Sequence, residues 1–268
     1  MSINFYIESL SLISFLLFLM INFIEIDHNS KINRIIYLLS LLFVGFTNLV
    51  YYKYSFINNV SILALITALL LVVIFFMQFL ISLFSYEFIR LRLLFIPFFM
   101  ILIFFRFLNT HDEESSNQLS RLFENNYLLI HIFSSLFSYS MLTISAVSSL
   151  CVFIKSKFLK KVQYNKIFSN LFPSIYESEV ISIRFLYLTS FFLLISLVSG
   201  FMYHFITYQN IDFFLDEKVI LSLICLLLII FFLIYRFLRG FSVFVTLKII
   251  LLSYLFINLA YFGIRLTT

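Results

Sequence analysis

The sequence predicts an all-α, polytopic membrane protein built as a bundle of eight transmembrane helices. Of its 268 residues, 63% are hydrophobic and only 12% are charged, whereas soluble domains average about 45–50% and about 25%. A water-soluble fold of this length needs more polar surface, so a soluble enzyme, a nucleic-acid-binding protein and a disordered chain are excluded. The apolar runs also lack the alternation of a membrane β-barrel, which leaves helices.

Eight apolar stretches approach the length of about 20 residues that a helix needs to cross the hydrocarbon. Polar residues separate these stretches, and the fourth and seventh are the shortest. They cover residues 3–24, 35–52, 60–86, 93–108, 127–154, 183–206, 219–235 and 242–266. No tandem repeat, glycine-rich linker or second soluble segment interrupts them. We therefore predict that residues 1–268 form a single transmembrane domain.

The basic residues predict the orientation of the bundle. Eight spans place both termini on one side of the membrane. The side that faces the connections after the odd-numbered spans holds 13 of the 18 Lys and Arg residues, and the opposite side holds 5. Because basic residues are retained in cytoplasmic connections, we expect both termini to lie outside the cytoplasm. No basic residue precedes the first stretch, so we expect it to remain in the mature protein.

Charged residues concentrate in two long connections and at the span edges. Residues 109–126 are acidic and are predicted to be external. Residues 155–182 begin with five lysines, which favours an amphipathic helix on the anionic inner leaflet, with a docking site for a partner as the alternative. Asp216 and Glu217 are expected to cap the seventh span. Five arginines are expected to extend into the headgroups: Arg90, Arg92, Arg184, Arg236 and Arg239.

The sequence contains no pattern that is typical of catalysis. Cys151 and Cys225 are too far apart for a CxxC motif or a disulfide framework, so covalent attachment of heme by this chain is unsupported. Nucleophile–base arrangements, zinc patterns and nucleotide-binding fingerprints are also missing. The 39 Phe and the lack of Trp are what AT-rich codons would produce, so aromatic clusters are weak indicators of a cofactor pocket. We predict a protein that is not an enzyme.

The fifth span carries a stripe of polar residues along one helical face. Intervals of three and four residues separate its members: Tyr127, His131, Ser134, Ser138, Met141, Ser145 and Ser148. Small hydroxyl side chains allow helices to approach closely and to form hydrogen bonds between them. His131 lies about 7 Å below the outer boundary at about 1.5 Å per residue. We therefore expect it to face protein rather than lipid.

The sixth span carries a second histidine in a similar setting. Ser196, Gly200 and His204 are spaced by four and share a face, and His204 is expected to lie at a depth similar to that of His131. Two such imidazoles are the minimum for bis-histidine ligation of a heme iron. The alternative is that each is a structural hydrogen-bond donor, which is the commoner case on spacing alone.

The order of motifs in the C-terminal half resembles the cytochrome c assembly family. His131 takes the place of the family's external heme-ligating histidine in the segment LLIHIFSSLFSYSMLTISAVSSLCVFI, residues 128–154. Later elements of the family are similar to SGFMY at 199–203, DEKVILSLICLLLIIFFLIYRFLRG at 216–240, and AYFG at 260–263. The resemblance is strongest over residues 127–268. Eight spans at this length are similar to the family's short branch, typified by YpjD and the HemX type.

The resemblance implies a non-catalytic membrane protein of cytochrome c biogenesis that binds or handles heme near the external face of the membrane. His131 would be an axial ligand of a non-covalently bound heme, and His204 is added on geometric grounds alone. The implied partners are heme, the lipid bilayer and other cytochrome c maturation proteins. Larger members carry a Trp-rich external loop that this chain lacks. A heme-free membrane scaffold or transporter subunit that reuses the same bundle is therefore the alternative.

Overall fold

The computed structural model describes residues 3–24, 31–57, 62–108, 125–160, 172–208, 216–240 and 242–263. Helices account for the regular structure of these residues and they contain no strand, so the all-α prediction is confirmed for them. The chain groups into two compact units, one within Met1–Asn117 and Asn165–Pro173 and the other within Gln118–Tyr164 and Ser174–Thr268. A single domain over residues 1–268 stays a prediction.

The described residues of the first unit form four long helices and one short helix. These are α1 (Ile3–Asn22), α2 (Lys31–Ile57), α3 (Ile62–Phe84), α4 (Tyr86–Ile89) and α5 (Arg92–Leu108). Ser85 separates α3 from α4, and its side chain accepts a hydrogen bond from the Phe88 backbone N–H. Aromatic rings fill the core, where Phe75 stacks on Phe99 at 4.5 Å and meets Phe18 edge-on at 5.3 Å. In this unit the abundant Phe therefore serves packing.

In the second unit, the residues that the structure describes form four long helices and a π-helical turn. These are α6 (Asn126–Lys160), α7 (Ile175–Tyr208), α8 (Glu217–Arg239), α9 (Val243–Asn258) and the turn Leu259–Gly263. Asp216 caps α8 as predicted, because its carboxylate accepts a hydrogen bond from the Lys218 N–H at 3.1 Å. Arg236 lies near the other end of α8 and forms a 2.7 Å ion pair with Glu179 of α7. Its guanidinium thus joins two helices as well as lying near a helix end.

Six of the described helices are long and apolar enough to cross a membrane: α2, α3, α6, α7, α8, and α9 together with the π turn. The chain is therefore a multi-pass membrane protein. The prediction of eight spans is not confirmed, because two helices are shorter than these six. The apolar part of α1 covers only Tyr6–Asn22, and α5 has only 17 residues. A 17-residue helix is about 25 Å long, less than the hydrocarbon thickness of about 30 Å.

Helices α6 and α7 extend further than the sequence predicted. They contain 35 and 34 residues, which corresponds to about 50 Å each. Residues 155–160 continue α6, so this part of the lysine-rich connection is not a separate amphipathic helix; residues 161–171 lie outside the described part. Helix α7 begins directly after Pro173 with a capping box. In it, the Ser174 N–H donates to Glu177 Oε2 at 2.9 Å and the Glu177 N–H donates to Ser174 Oγ at 3.2 Å.

Arg92 closes the end of α1 instead of extending into headgroups. Its side chain is only 4% exposed. The Nε–H donates to the carbonyl of Asn22 at 2.9 Å, and Nη2 donates to the carbonyl of Ile24. Carbonyls at the end of a helix have no partner within the helix, so they need other hydrogen-bond donors. The Arg92 guanidinium supplies these donors, and its positive charge interacts favourably with the negative end of the helix dipole.

We expect Arg92→Met to destabilise the first unit by about 2–4 kcal/mol, since each hydrogen bond from a charged donor contributes about 1.5–3 kcal/mol and the carbonyls would stay buried. Thermal unfolding in detergent, followed by circular dichroism, measures the effect. Arg90→Met is the matched control, because Arg90 forms a partly exposed 3.4 Å pair with Glu87 whose loss costs about 1 kcal/mol or less. Equal melting temperatures for both variants would show that Arg92 does not hold α1.

Candidate functional site

Helices α6 and α7 lie side by side and antiparallel over most of their length. Residue numbers on α6 rise as those of their partners on α7 fall, in three hydrogen-bonded pairs: His131 with Ser196, Ser145 with Ser182, and Cys151 with Ser178. This register is fixed by contacts about 30 Å apart along the axis at 1.5 Å per residue. It determines which side chain of α7 meets each position of the polar stripe on α6.

The polar stripe of α6 packs closely against α7. Every residue from 138 through 149 is buried. Ser145 Oγ donates to the carbonyl of Ser182 at 2.9 Å, and Ser182 Oγ donates to the carbonyl of Ser145 at 3.2 Å. Two small hydroxyls thus bind the backbone of the opposite helix, which requires the two helices to approach closely. The predicted close approach along this face is observed at Ser145.

His131 is held by the backbone of α7. Its Nδ1 lies 2.7 Å from the carbonyl oxygen of Ser196 and 3.1 Å from Ser196 Oγ. A carbonyl oxygen only accepts hydrogen bonds, so at this distance Nδ1 carries the proton and Nε2 keeps its lone pair. The side chain is half-buried. Histidines that bind metals commonly donate their second ring N–H to a carbonyl in this manner, so the donor set at His131 fits an axial ligand of heme iron.

His204 lies further along α7 than sequence reasoning expected. Ser196 and Gly200 are buried and His204 is half-buried, as expected for one continuous face. However, the residue of α7 at the level of His131 is Ser196, and His204 lies eight residues beyond it, about 12 Å along the axis. The two histidines therefore do not lie at similar depth. Spacing within each helix could not reveal this offset, because it depends on the register between the helices.

A buried tyrosine cluster, which sequence analysis did not identify, lies on the adjoining face of α6. Tyr139 is fully buried; its hydroxyl donates to Asn258 Oδ1 at 2.8 Å and lies 3.0 Å from the hydroxyl of Tyr254. Its ring is also 5.4 Å from that of Tyr261 in the π turn. The turn contains the AYFG element, so the cluster anchors this element against α6. The sequence offered one indication that Tyr139 lies near the site, which is that it follows His131 by eight residues, or about two helical turns.

Other potential ligands do not gather in the described part of the chain. No group of three or more His, Cys, Asp or Glu side chains there could hold a metal ion. Cys151 and Cys225 are buried, and neither forms a disulfide with the other. His28 and His111 lie outside the described residues. An axial ligand requires only one imidazole, so His131 is the residue whose surroundings fit that role.

The fold and the site together define a multi-pass α-helical membrane protein with a histidine fixed in one tautomer between two helices. A family model described as "Cytochrome C assembly protein" matches residues 4–268. The chain belongs to the cytochrome c assembly family. The match includes the first four helical stretches, where no family motif was visible in the sequence. No curated protein and no solved structure matches the chain.

Membership of this family indicates a membrane protein of cytochrome c biogenesis. Proteins of the family are generally non-catalytic and are linked to heme handling. This agrees with the absence of catalytic motifs from the sequence and with the donor set at His131.

Proposed function

We propose that this protein binds heme non-covalently near the external face of the bacterial inner membrane and holds it for cytochrome c maturation. His131 would ligate the iron through Nε2. The observation that carries the proposal is the 2.7 Å contact between His131 Nδ1 and the Ser196 carbonyl. It orients the imidazole and leaves Nε2 as the nitrogen with a lone pair. Joint ligation with His204 stays a prediction.

The surroundings of His131 support an apolar macrocycle as the ligand. Tyr127 is 44% exposed and lies one turn before His131 on the same face of α6. Its ring provides apolar surface on the side of the helix that carries the imidazole, and burial of such surface is favourable by about 25 cal/mol per Å². Bound heme would supply an iron centre for ligation. The protein's own contribution is to fix the ring and to present the apolar surface.

A heme-free scaffold or transporter subunit is the second candidate function. The unbroken burial of residues 138–149 favours it, because dense serine packing is what a purely structural helix pair would use. The two functions differ in what they need at His131. A scaffold needs only the bond to Ser196, whereas a heme protein also needs Nε2 to remain accessible.

Absorption spectroscopy of the purified protein separates these functions. We expect protein from heme-producing cells, or protein mixed with hemin in detergent, to show an intense Soret band that remains after gel filtration. A folded protein without that band after hemin addition would favour the scaffold. Partner proteins of cytochrome c maturation and a place in the YpjD and HemX-type branch form part of the same proposal.

The proposal requires His131 to lie on the external side. We expect both termini to be external and residues 155–160 to be cytoplasmic, on the 13-to-5 division of Lys and Arg and the positive-inside rule. The test uses a reporter enzyme that works only outside the cytoplasm. The reporter should be active when it is fused after Thr268 and inactive when it is inserted after Lys160. The reverse pattern would place His131 near the cytoplasmic face and contradict this part of the proposal.

A further inference from the structure

Arg106 is a buried cation in the first unit, at the end where α1 begins and where α2 and α5 end. Its side chain is only 3% exposed. Nη2 donates to Ser11 Oγ of α1 at 2.9 Å, and the guanidinium carbon lies 3.3 Å from the centroid of the Tyr51 ring of α2. In the sequence, this arginine lies near the end of the fourth apolar stretch and is one of the five basic residues assigned to the external side. Its side chain instead turns inward between three helices.

The positive charge at Arg106 is incompletely neutralised. Among the described residues, the ion pairs within 4 Å involve other arginines. Glu8 lies one helical turn from Ser11 and acts on Arg106 only through its electrostatic field. The ring and hydroxyl of Tyr51 and the hydroxyl of Ser11 stabilise a cation less than a bound carboxylate or phosphate does. A bound anion would therefore further stabilise this buried charge.

Two buried polar atoms near this charge lack hydrogen-bond partners. They are Nε of Arg106 and Oγ of Ser55. Ser55 is fully buried and follows Tyr51 by one turn, so it lies on the face of α2 that meets the guanidinium. An N–H and an O–H donor beside a positive charge are the groups that bind an oxyanion. The Tyr51 ring covers one face of the guanidinium, and Nε is the donor on its edge that has no hydrogen-bond partner.

We propose that Arg106, with Ser55, forms a binding site for the oxyanion group of a membrane amphiphile, either a phosphate or a carboxylate. The half-buried Glu8 places the site about one helical turn from the surface of the unit. Its negative charge opposes a second anion and thereby weakens binding. The site uses residues of the first unit alone, so it is independent of heme binding at His131.

Native mass spectrometry of the detergent-purified protein tests this site. The probes are phosphatidylglycerol, oleate, and dioleoylglycerol as the chain-matched probe without an anion. We expect wild type to retain at least one of the two anions and not dioleoylglycerol. The anion retained identifies phosphate or carboxylate as the recognised group. Arg106→Gln should lower the retained fraction at least about tenfold, as expected for loss of a charge-assisted hydrogen bond.

Three further variants keep the test decisive if Arg106→Gln does not fold. Arg106→Lys keeps the charge but loses the planar fork, and Ser55→Ala removes only a hydroxyl. Both should weaken anion retention several-fold. Glu8→Gln removes the opposing charge and should strengthen it. Retention by Arg106→Gln or Arg106→Lys equal to that of wild type would overturn the proposal, as would a wild type that binds dioleoylglycerol as well as the anions.

Discussion

His131→Ala should abolish the Soret band of the purified protein while leaving its insertion and helical content unchanged. Alanine removes Nε2 of His131, the ring nitrogen whose lone pair is left available because Nδ1 is bonded to the Ser196 carbonyl. The cost to stability should be small, about 1 kcal/mol. The Ser196 carbonyl still accepts a hydrogen bond from Ser199 Oγ at 3.0 Å. Absorption and circular dichroism spectra of the same sample measure both effects.

His204→Ala is the matched control for this experiment. If His131 alone ligates the iron, the spectrum should keep its band position. If both histidines bind, loss of His204 removes an axial ligand and should shift the band without abolishing it. Added imidazole should partly restore the band of the His131→Ala variant by occupying the vacated position. A spectrum of His131→Ala identical to that of wild type would exclude His131 from the site.

Helical periodicity was sufficient to predict the polar faces of α6 and α7. The spacing of the serines placed His131 on the packed face, and the structure shows that face in contact with α7. Each inference needed only the geometry of a single helix. The offset of His204 required the register between two helices, which depends on contacts such as those between Ser145 and Ser182. Periodicity contains no information about that register.

The arginines show a second limit of sequence reasoning. Arg90, Arg92 and Arg106 all lie at the edge of an apolar stretch, which is the setting of an arginine that extends into headgroups. Only the tertiary structure shows that Arg92 reaches the end of α1 and that Arg106 lies between three helices. The acceptors are carbonyls and a hydroxyl distant in sequence. A local pattern around each arginine therefore could not identify them.

Ser145→Leu should destabilise the second unit by disrupting the contact between α6 and α7. Ser145 and Ser182 are 0% and 2% exposed, so the three carbons with which leucine replaces the serine hydroxyl have no free space. Overpacking of this kind typically costs 1–3 kcal/mol, and separating the helices would also break both hydrogen bonds between these residues. Ser145→Ala adds no volume and keeps the bond that Ser182 donates to the backbone, so it should cost only about 1 kcal/mol.

Thermal unfolding followed with a thiol-reactive dye suits this comparison, since Cys151 and Cys225 are both fully buried and become reactive only when the second unit opens. Ser190→Leu is the control for the added leucine, because Ser190 Oγ donates only to Tyr187 within its own helix in an exposed position.

His131 lies on the same face as Ser145, about 21 Å away, and depends on the same helix contact for its bond to Ser196. Ser145→Leu should therefore also weaken the Soret band, whereas Ser145→Ala should preserve it. A leucine at position 145 that changed neither the melting temperature nor the band would show that close packing of α6 on α7 does not position His131.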